Sequence, residues 1–270
     1  MIDLHSHILP YIDDGASSME DALAIARMAV SDGIRVMACT PHIVPGLYDN
    51  DRVKIVSAVK MLRKKLKEEE IDLDIIMGAD VHADPDLVKK LSDKTVPTIH
   101  DSRYFLFEPP HHILPPRLGE LVERLIEAGF RPILTHPERL TWIRTHYEVI
   151  TRINAMGCLM QITAGSLTGG FGKTARHFAE RMLDEGRVDI LATDTHNTRG
   201  RPPILSAARQ IVEERLGAAE AQQMVFDRPA RIILNEPLAA VGADKSISAN
   251  EPEATGVSSF VGRLFGKQVT

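Results

Sequence analysis

The chain has 270 residues, a length that fits one large domain or two small ones, and a single α/β barrel accommodates it well. It carries 32 Lys and Arg against 37 Asp and Glu, so its formal net charge is −5. This balance lacks the basic excess that binding to nucleic acid or to an anionic membrane requires, and we expect neither function.

The first residues and the cysteine content bear on the cellular location. Met1 opens no basic stretch followed by an apolar core, so we expect no signal peptide. No apolar run is long enough to span a bilayer. Cys39 and Cys158 are too few for a disulfide framework. We therefore expect a cytoplasmic protein without a transmembrane segment.

Short apolar runs rich in β-branched residues alternate along the chain with longer segments of helical period. This alternation is typical of βαβ units around a parallel sheet, so the predicted fold class is α/β. Seven strands are predicted, over residues 2–5, 34–40, 73–81, 104–108, 132–136, 158–163 and 188–194.

The segment between the first two predicted strands has the features of a complete helix. Ser17 and Glu20 have the spacing of a capping box, and Gly33 is placed to end the helix. The buried stripe of this helix is predicted to consist of Leu23, Ala26 and Val30. A second helix is predicted over residues 51–70, with its charged side chains on a solvated face.

After Pro237 the composition changes to small and polar residues with few aromatics. We therefore predict one folded domain over residues 1–238 and a disordered tail over residues 239–270. Within the tail, residues 260–267 place apolar side chains at helical spacing beside Arg263 and Lys267, so docking on a partner or a membrane surface is the alternative to a frayed end.

Imidazole and carboxylate side chains occur at or just after six of the seven predicted strand ends. Active sites of parallel α/β barrels are assembled at these carboxyl ends. Any one of these side chains alone is more simply a helix cap or a satisfied polar group, but six strand ends together favour a metal cluster. The sixth strand supplies no such residue and ends in Gln161-Ile162-Thr163. The predicted ligands are His5, His7, Asp14, His42, Asp80, Glu108, His136, Asp194 and His196.

The types of these ligands indicate which metals the site would hold. His5 and His7 lie two positions apart on an extended strand, so both imidazoles point to the same side. Imidazoles with carboxylates and no thiolate suit Mn, Fe or Zn better than Ca or a structural Zn site. Nine ligands exceed the needs of one ion, so we predict two or three divalent ions. Such a cluster lowers the pKa of a bound water and clamps an in-line displacement, which predicts hydrolysis of a phosphate ester by an activated hydroxide.

Several stretches of the chain together form a specific pattern. They are Asp3-Leu4-His5-Ser6-His7-Ile8-Leu9-Pro10 with Ile12-Asp13-Asp14-Gly15, Thr40-Pro41-His42, Phe107-Glu108, His136-Pro137-Glu138-Arg139, residues 162–169, and Asp194-Thr195-His196-Asn197 with Arg201-Pro202-Pro203. Over residues 1–237 the chain resembles the PHP (polymerase and histidinol phosphatase) superfamily, and within it the bacterial metal-dependent protein tyrosine phosphatases of capsule and exopolysaccharide synthesis. The resemblance implies a distorted (β/α)7 barrel of TIM-like type. It also implies a trinuclear Mn-type centre and a tyrosine-phosphorylated protein as substrate, namely a kinase that controls polysaccharide export.

The resemblance also implies how the ligands are shared among three ions. It assigns His5, His7, Asp80 and Asp194 to one ion, Asp80, Glu108 and His136 to a second, and Asp14, His42 and His196 to the third. Asp80 departs from the family pattern, which usually carries Glu at this position. The shorter carboxylate is expected to hold the ions less closely, and His82 on the same strand face either lines the pocket or substitutes as a ligand.

Two other catalytic patterns fail on inspection. A cysteine-based tyrosine phosphatase needs Cys-x5-Arg, but Pro45 and Ala164 occupy the sixth positions after the two cysteines. Residues 169–174 resemble a P-loop, but Leu167 occupies the position of its first glycine. We predict that this segment is a flexible lip over the site. The pair His111 and His112 either supports the ligands or lies in a solvated loop.

Arg139 and Arg201 follow predicted ligands closely in the chain, and we predict that their guanidinium groups bind the substrate phosphate. Arg199 is the rival for the second role. The structural alternatives are that Arg139 pairs with Glu138 or caps a helix, and that Arg201 anchors a turn. Two other functions stay open beside the tyrosine phosphatase: a small-molecule phosphatase acting on histidinol phosphate or a sugar phosphate, and a non-catalytic metal-binding regulator.

Overall fold

The computed structural model describes residues 1–238. The predicted tail over residues 239–270 therefore lies outside the described residues. Among residues 1–238, no helix combines the length and the apolar character that crossing a membrane requires.

Strands and helices alternate along the described chain, as the pattern of apolar runs predicts. The strands are β1 (Ile2–Ser6), β2 (Val36–Cys39), β3 (His42–Ile43), β4 (Asp74–Met77), β5 (Asp80–His82), β6 (Tyr104–Glu108), β7 (Arg131–Thr135), β8 (Leu159–Thr163) and β9 (Ile190–Ala192). The α-helices are α1 (Met19–Ser31), α2 (Arg52–Glu68), α3 (Leu87–Ser92), α4 (Leu118–Glu127), α5 (Tyr147–Ala155), α6 (Ala164–Leu167), α7 (Gly172–Asp184), α8 (Ser206–Leu216), α9 (Ala218–Gln222) and α10 (Arg228–Ile233). Short 3₁₀ turns occupy Ile99–Asp101, Pro137–Arg139 and Thr141–Arg144, and a π-helical turn occupies Gln223–Asp227.

All strand pairs are parallel, and they form two sheets that together make a ring. One sheet has the order β1-β2-β4 and the other has the order β3-β5-β6-β7-β8-β9. The ring closes between β9 and β1, because Asp194 N–H donates to His5 O and His7 N–H donates to Thr195 O, both at 2.9 Å. The prediction of a distorted barrel with seven strand positions is confirmed.

Nine strands are observed over residues 1–238, where seven are predicted. The second predicted strand, over residues 34–40, is β2, and the short strand β3 lies beyond its predicted end, after Pro41, which has no N–H to donate to a sheet ladder. The third becomes β4 and β5, with Gly78 at the break. Pairing continues irregularly across both breaks, because Gly78 N–H donates to Cys39 O at 3.0 Å and Asp80 N–H donates to Pro41 O at 3.1 Å. The breaks therefore distort the barrel without opening it.

Apolar side chains fill the barrel at its amino-terminal end. One cluster joins Leu4, Leu106, Ile133, Leu159 and Ile190, all fully buried and contributed by five different strands. Apolar residues of α10 belong to the same cluster and close this end. A larger cluster lies between the outer faces of the strands and the helices. Burial of each such side chain contributes roughly 1.5–3 kcal/mol to the free energy of unfolding. The polar residues at the carboxyl end of the barrel therefore lie above a well-packed apolar core.

The first helix begins one residue later than predicted, so the predicted capping box is wrong. Ser18 is the N-cap of α1, and its hydroxyl accepts a hydrogen bond from Asp21 N–H at 3.0 Å. Ser17 instead donates its hydroxyl to the Asp21 carboxylate. The N-cap is therefore Ser18, paired with Asp21. The prediction is one residue off because two adjacent serines are equally suitable as N-caps by sequence.

Asp3 holds the closing seam of the barrel together. This carboxylate is fully buried and accepts hydrogen bonds from His5 N–H at 3.2 Å, from Thr193 N–H at 3.1 Å, and from the Thr193 hydroxyl. Burial raises the pKa of Asp3 to about 6, although the three hydrogen bonds favour the charged form. One side chain thus joins β1 to the segment after β9.

We predict that Asp3→Ala lowers the free energy of unfolding by at least about 2 kcal/mol, because two buried backbone N–H groups lose their acceptor. Asp3→Asn keeps one acceptor oxygen and should cost less. Denaturant unfolding followed by circular dichroism measures both. Asp72→Ala is the control, because its carboxylate is 88% exposed, and equal stability of the Asp3→Ala and Asp72→Ala proteins would contradict this role for Asp3.

Candidate metal centre

The structure brings all nine predicted ligands together at the carboxyl end of the barrel. Their ligand atoms form four overlapping groups, and within each group the atoms lie within 4.8 Å of one another. The groups are His7, Asp14, His42 and His196; His5, His7 and Asp80; His5, His136 and Asp194; and His42, Asp80 and Glu108.

His5 and Asp194 lie near the middle of this cluster. The Nε2 atom of His5 is 3.3 Å from Asp194 Oδ1, 3.4 Å from Asp80 Oδ2 and 3.2 Å from His7 Nε2. Asp194 Oδ1 is also 3.3 Å from His7 Nε2. Atoms that are all potential metal ligands therefore crowd into one small volume.

The outer part of the cluster is built around His42. Its Nδ1 atom is 3.3 Å from Glu108 Oε2 and 3.6 Å from Asp80 Oδ2, and its Nε2 atom is 3.6 Å from Asp14 Oδ1. Asp14 Oδ1 is in turn 3.4 Å from His196 Nε2. One imidazole thus connects the exposed carboxylate of the first loop to the buried carboxylate of β5.

Two of the candidate ligands have strained backbones. His136 directly follows β7 with φ of 36°, and Asp194 follows β9 with φ of 54°. A side chain other than glycine is disfavoured in this left-handed region and persists there only where the surroundings hold it. At Asp194 the hydrogen bond from its N–H to His5 O is one such restraint.

The hydrogen bonding of the buried ligands fits bound metal. Among the described residues, both carboxylate oxygens of Asp80, Asp194 Oδ1 and His196 Nε2 are buried without a hydrogen-bond partner. Buried polar atoms without partners are costly, and divalent ions held by imidazole and carboxylate would satisfy all of them. The donor set and these atoms therefore fit a multinuclear metal centre.

Electrostatics in the cluster lead to the same conclusion. Burial lowers the pKa of His5, but the carboxylates of Asp194 and Asp80 outweigh it and raise the pKa to about 9. Burial likewise lowers the pKa of His42, whereas the nearby carboxylates of Glu108 and Asp80 raise it to about 10. Positive charge is thus strongly favoured between these carboxylates, and divalent ions are an alternative way of supplying it.

The observed groups overlap with the three ligand sets that the resemblance implies, but they do not coincide with them. Asp14, His42 and His196 come together as implied, with His7 added. Asp80 belongs to two groups, in keeping with a bridging role. Glu108 is grouped with His42, while His136 Nε2 lies 3.4 Å from Glu108 Oε1.

Sequence reasoning missed two residues that orient ligands. Asp13 Oδ2 lies 2.7 Å from His7 Nδ1 and accepts a hydrogen bond from His42 N–H at 3.0 Å. Gln161, on the strand that supplies no ligand, has Oε1 2.9 Å from His5 Nδ1. Hydrogen bonds of this kind fix the ring orientation and the tautomer of ligating histidines. The pair of neighbouring acids Asp13 and Asp14 was a signal for the first residue, but no sequence pattern pointed to Gln161.

Arg139 and Arg201 both reach the cluster at one atom. Each guanidinium group donates to Asp194 Oδ2, which is the oxygen turned away from His5 and His7. The alternative that Arg139 pairs with Glu138 is not what the structure has, since Glu138 Oε1 accepts from Thr163 N–H and from the Ser166 hydroxyl.

The structure also shows where the other candidate residues of the sequence analysis lie, namely Arg199, His82, His111 and His112. Arg199 is exposed, and its backbone N–H donates to Asn197 Oδ1. His82 lies on β5 beside Asp80 but belongs to none of the four ligand groups. The His111 ring is 6.4 Å from the His136 ring, and that of the neighbouring His112 is 5.0 Å from His111, so His111 lies against a ligand.

Neither cysteine is placed for thiolate chemistry. Cys39 and Cys158 are both fully buried, and this burial raises the pKa of each thiol well above its ordinary value. A nucleophilic cysteine needs a lowered pKa and access to substrate. The structure therefore agrees with the missing Cys-x5-Arg pattern.

Comparison with known proteins adds to this geometry. Residues 1–234 match the family described as capsular polysaccharide synthesis, CpsB/CapC. The tyrosine-protein phosphatase YwqE of Bacillus subtilis is 32% identical over 238 residues, which cover 88% of this chain and 93% of that protein.

The same likeness extends to three dimensions. A chain from the crystal structures of YwqE from Bacillus subtilis and CpsB from Streptococcus pneumoniae, described as unique metal-dependent tyrosine phosphatases, superimposes with a TM-score of 0.86 at 31% identity. The match covers 90% of this chain and 98% of that chain. Histidinol phosphate phosphatase from Lactococcus lactis superimposes with a TM-score of 0.51 at 13% identity, over 89% of this chain and 97% of that chain. This last likeness concerns the fold alone.

We predict that Asp13→Ala weakens metal binding by about 10- to 100-fold, because His7 loses the carboxylate that orients its ring. Titration of the metal-free protein with Mn²⁺, followed by metal analysis, measures the change. Asp86→Ala is the matched control, since Asp86 is an exposed carboxylate at the start of α3. Equal Mn²⁺ affinity in the two variants would mean that Asp13 does not support the centre.

Proposed function

Because the chain belongs to the CpsB/CapC family of capsular polysaccharide synthesis, we infer that it is a metal-dependent protein tyrosine phosphatase. The observation that carries this inference is the convergence of nine imidazole and carboxylate ligands beside two arginines. A phosphate ester is the substrate that such a combination of metal ligands and guanidinium groups suits best.

We propose that the nine ligands hold two or three divalent ions, most simply Mn²⁺, with Fe, Zn or Mg as the other candidates. Asp80 would bridge two of these ions, because its carboxylate belongs to two ligand groups. When bound, such ions supply Lewis-acid activation of water and neutralise the charge of phosphate oxygens. Asp13 and Gln161 would keep the rings of His7 and His5 in the orientation that binding needs.

Arg139 and Arg201 are the proposed catalytic residues of the protein itself. Asp194 turns Oδ1 towards the imidazoles and Oδ2 towards the two guanidinium groups, so the arginines lie at the edge of the ligand cluster. A phosphate bound at this edge would accept hydrogen bonds from both planar forks. The arginines would thereby hold the ester for attack by water, which releases tyrosine and inorganic phosphate.

We also propose a physiological substrate, which the family description does not specify. A tyrosine-phosphorylated kinase of polysaccharide export, in the cytoplasm, is the partner that the sequence resemblance implies. The two competing functions make different predictions. A small-molecule phosphatase would prefer histidinol phosphate or a sugar phosphate to a phosphotyrosine peptide. A regulator would bind metal without hydrolysing either.

The first test of this function is dependence on metal and independence of thiols. We expect a chelator to abolish hydrolysis of a phosphotyrosine peptide and Mn²⁺ to restore it. The Cys39→Ala, Cys158→Ala double variant should keep its turnover, because both thiols are buried away from substrate. Full activity of the metal-free protein, or faster turnover of histidinol phosphate than of the peptide, would contradict the proposal.

The second test concerns the arginines. We expect Arg139→Ala and Arg201→Ala to keep their metal content and to lose roughly 10- to 100-fold in kcat/KM, as the loss of a charged hydrogen bond of about 1.5–3 kcal/mol implies. Arg139→Lys should recover little of this, because an ammonium group lacks the planar fork. Arg199→Ala is the control and should behave as the unmodified protein. Loss of metal together with activity would instead assign the arginines to holding Asp194.

A further inference from the structure

A pocket of about 490 Å³ opens directly beside the proposed phosphate site. Arg139 lines this pocket, and its guanidinium group donates to Asp194 in the ligand cluster. Its lining includes three apolar residues, of which Phe171 is half-buried while Leu140 and Ala175 are buried. The pocket therefore has apolar residues in its lining together with Arg139, whose guanidinium group is proposed to bind the substrate phosphate.

Phe171 is the main aromatic surface of this pocket, and it is held in place on two sides. The Arg139 Cζ atom lies 4.1 Å from the centroid of the Phe171 ring, and the Arg201 Cζ atom lies 5.8 Å from it. The ring edge packs on Gly165, where an added Cβ would stand only 2.9 Å from Phe171 Cε2. A larger residue at position 165 would therefore displace the ring.

The two segments that carry Arg139 and Phe171 share one buried anchor. Glu138, next to Arg139 in the chain, accepts hydrogen bonds from Thr163 N–H at 3.0 Å and from the Ser166 hydroxyl at 2.7 Å. These bonds tie the turn after β7 to the turn that contains Gly165. These hydrogen bonds therefore help to hold the Arg139 guanidinium group at its distance from the Phe171 ring.

The outer end of the pocket is polar. Arg144 is exposed and donates to the Thr174 hydroxyl at 2.5 Å, and both residues line the pocket. Glu138 is the acidic residue of the lining, and it is buried with one oxygen already bonded. A ligand with a negative group at the inner end and a flat apolar body therefore meets matching chemistry along the pocket.

We propose that this pocket is the subsite for the aromatic ring of an aryl phosphate, and that Phe171 determines the preference for an aromatic leaving group. The inference rests on the proposed function, because it takes the phosphate position from Arg139 and Arg201. The segment over residues 169–174 then acts as the wall of this subsite. Alkyl phosphates would use the same metal ions and arginines without gaining the contact with Phe171.

Two non-hydrolysable ligands, one with a phenyl group and one without, separate the contribution of the aromatic ring to binding from that of the phosphonate group. Calorimetric titration of the Mn²⁺-loaded protein with phenylphosphonate and with methylphosphonate gives an affinity ratio for the phenyl group. We expect Phe171→Leu to lower this ratio about threefold to tenfold, as expected for the loss of one aromatic pair. Methylphosphonate affinity reports separately on any disturbance of Arg139. In kinetics, KM for a phosphotyrosine peptide should rise more than kcat falls.

Two further variants complete the experiment. Thr174→Trp puts an indole into the pocket and should remove the preference for phenylphosphonate without affecting methylphosphonate. Leu47→Ala is the matched control, since Leu47 is 68% exposed in the loop after β3 and should leave the ratio unchanged. Metal analysis confirms that the centre is intact in each variant.

The outcomes distinguish the subsite from the function itself. An unchanged ratio in Phe171→Leu, or an unchanged or larger ratio in Thr174→Trp, overturns the subsite even if the unmodified protein hydrolyses phosphotyrosine. A fall in the ratio in both variants, with Leu47→Ala unaffected, supports it. Failure of the unmodified protein to hydrolyse any phosphotyrosine peptide would overturn the proposed function, and the subsite with it.

Discussion

Closure of the barrel between β1 and β9 is the constraint on which the metal centre depends. The backbone bonds of His5 with Asp194 and of His7 with Thr195 bring the first and last ligand segments together, although nearly the whole domain separates them in sequence. Asp3 locks the same seam through Thr193. Because His136 and Asp194 adopt strained backbone angles within two residues of the ends of β7 and β9, the candidate ligands are positioned by the packed barrel and not by local preference.

The centre concentrates negative charge that the protein balances from two sides. Buried carboxylates favour positive charge on His5 and His42 on one side, which is where divalent ions would bind. On the other side, burial raises the pKa of Asp194, but the charges of His5, Arg201 and Arg139 hold it well below its usual range. One carboxylate thus lies between the candidate metal ligands and the two guanidinium groups, and a phosphate bound there would contact both.

Arg139 lies between the proposed phosphate site and the proposed aromatic subsite. The turn that carries it is anchored through Glu138 to the turn around Gly165, and Phe171 packs over its guanidinium group. Phe171 and Thr174, in the glycine-rich segment that resembles a nucleotide loop in sequence, line the pocket beside the candidate centre. Gly165, which precedes this segment, permits the close contact with the Phe171 ring, and this is a different purpose from cradling phosphates.

The sequence alone predicted the α/β class, the seven strand positions and all nine residues of the ligand cluster, because period, strand ends and ligand chemistry are local properties. It did not predict the short strand β3 after Pro41 or the break at Gly78. It also did not predict that Ser18 and not Ser17 would cap α1, since neighbouring residues offer nearly equal local choices. It also missed Gln161, because only closure of the ring brings its side chain on β8 to His5 on β1, with β9 between the two strands. The grouping of ligands, the shared contact of two arginines with Asp194 and the pocket at Phe171 were decided by tertiary structure, because each joins segments that only barrel closure brings within a few ångströms.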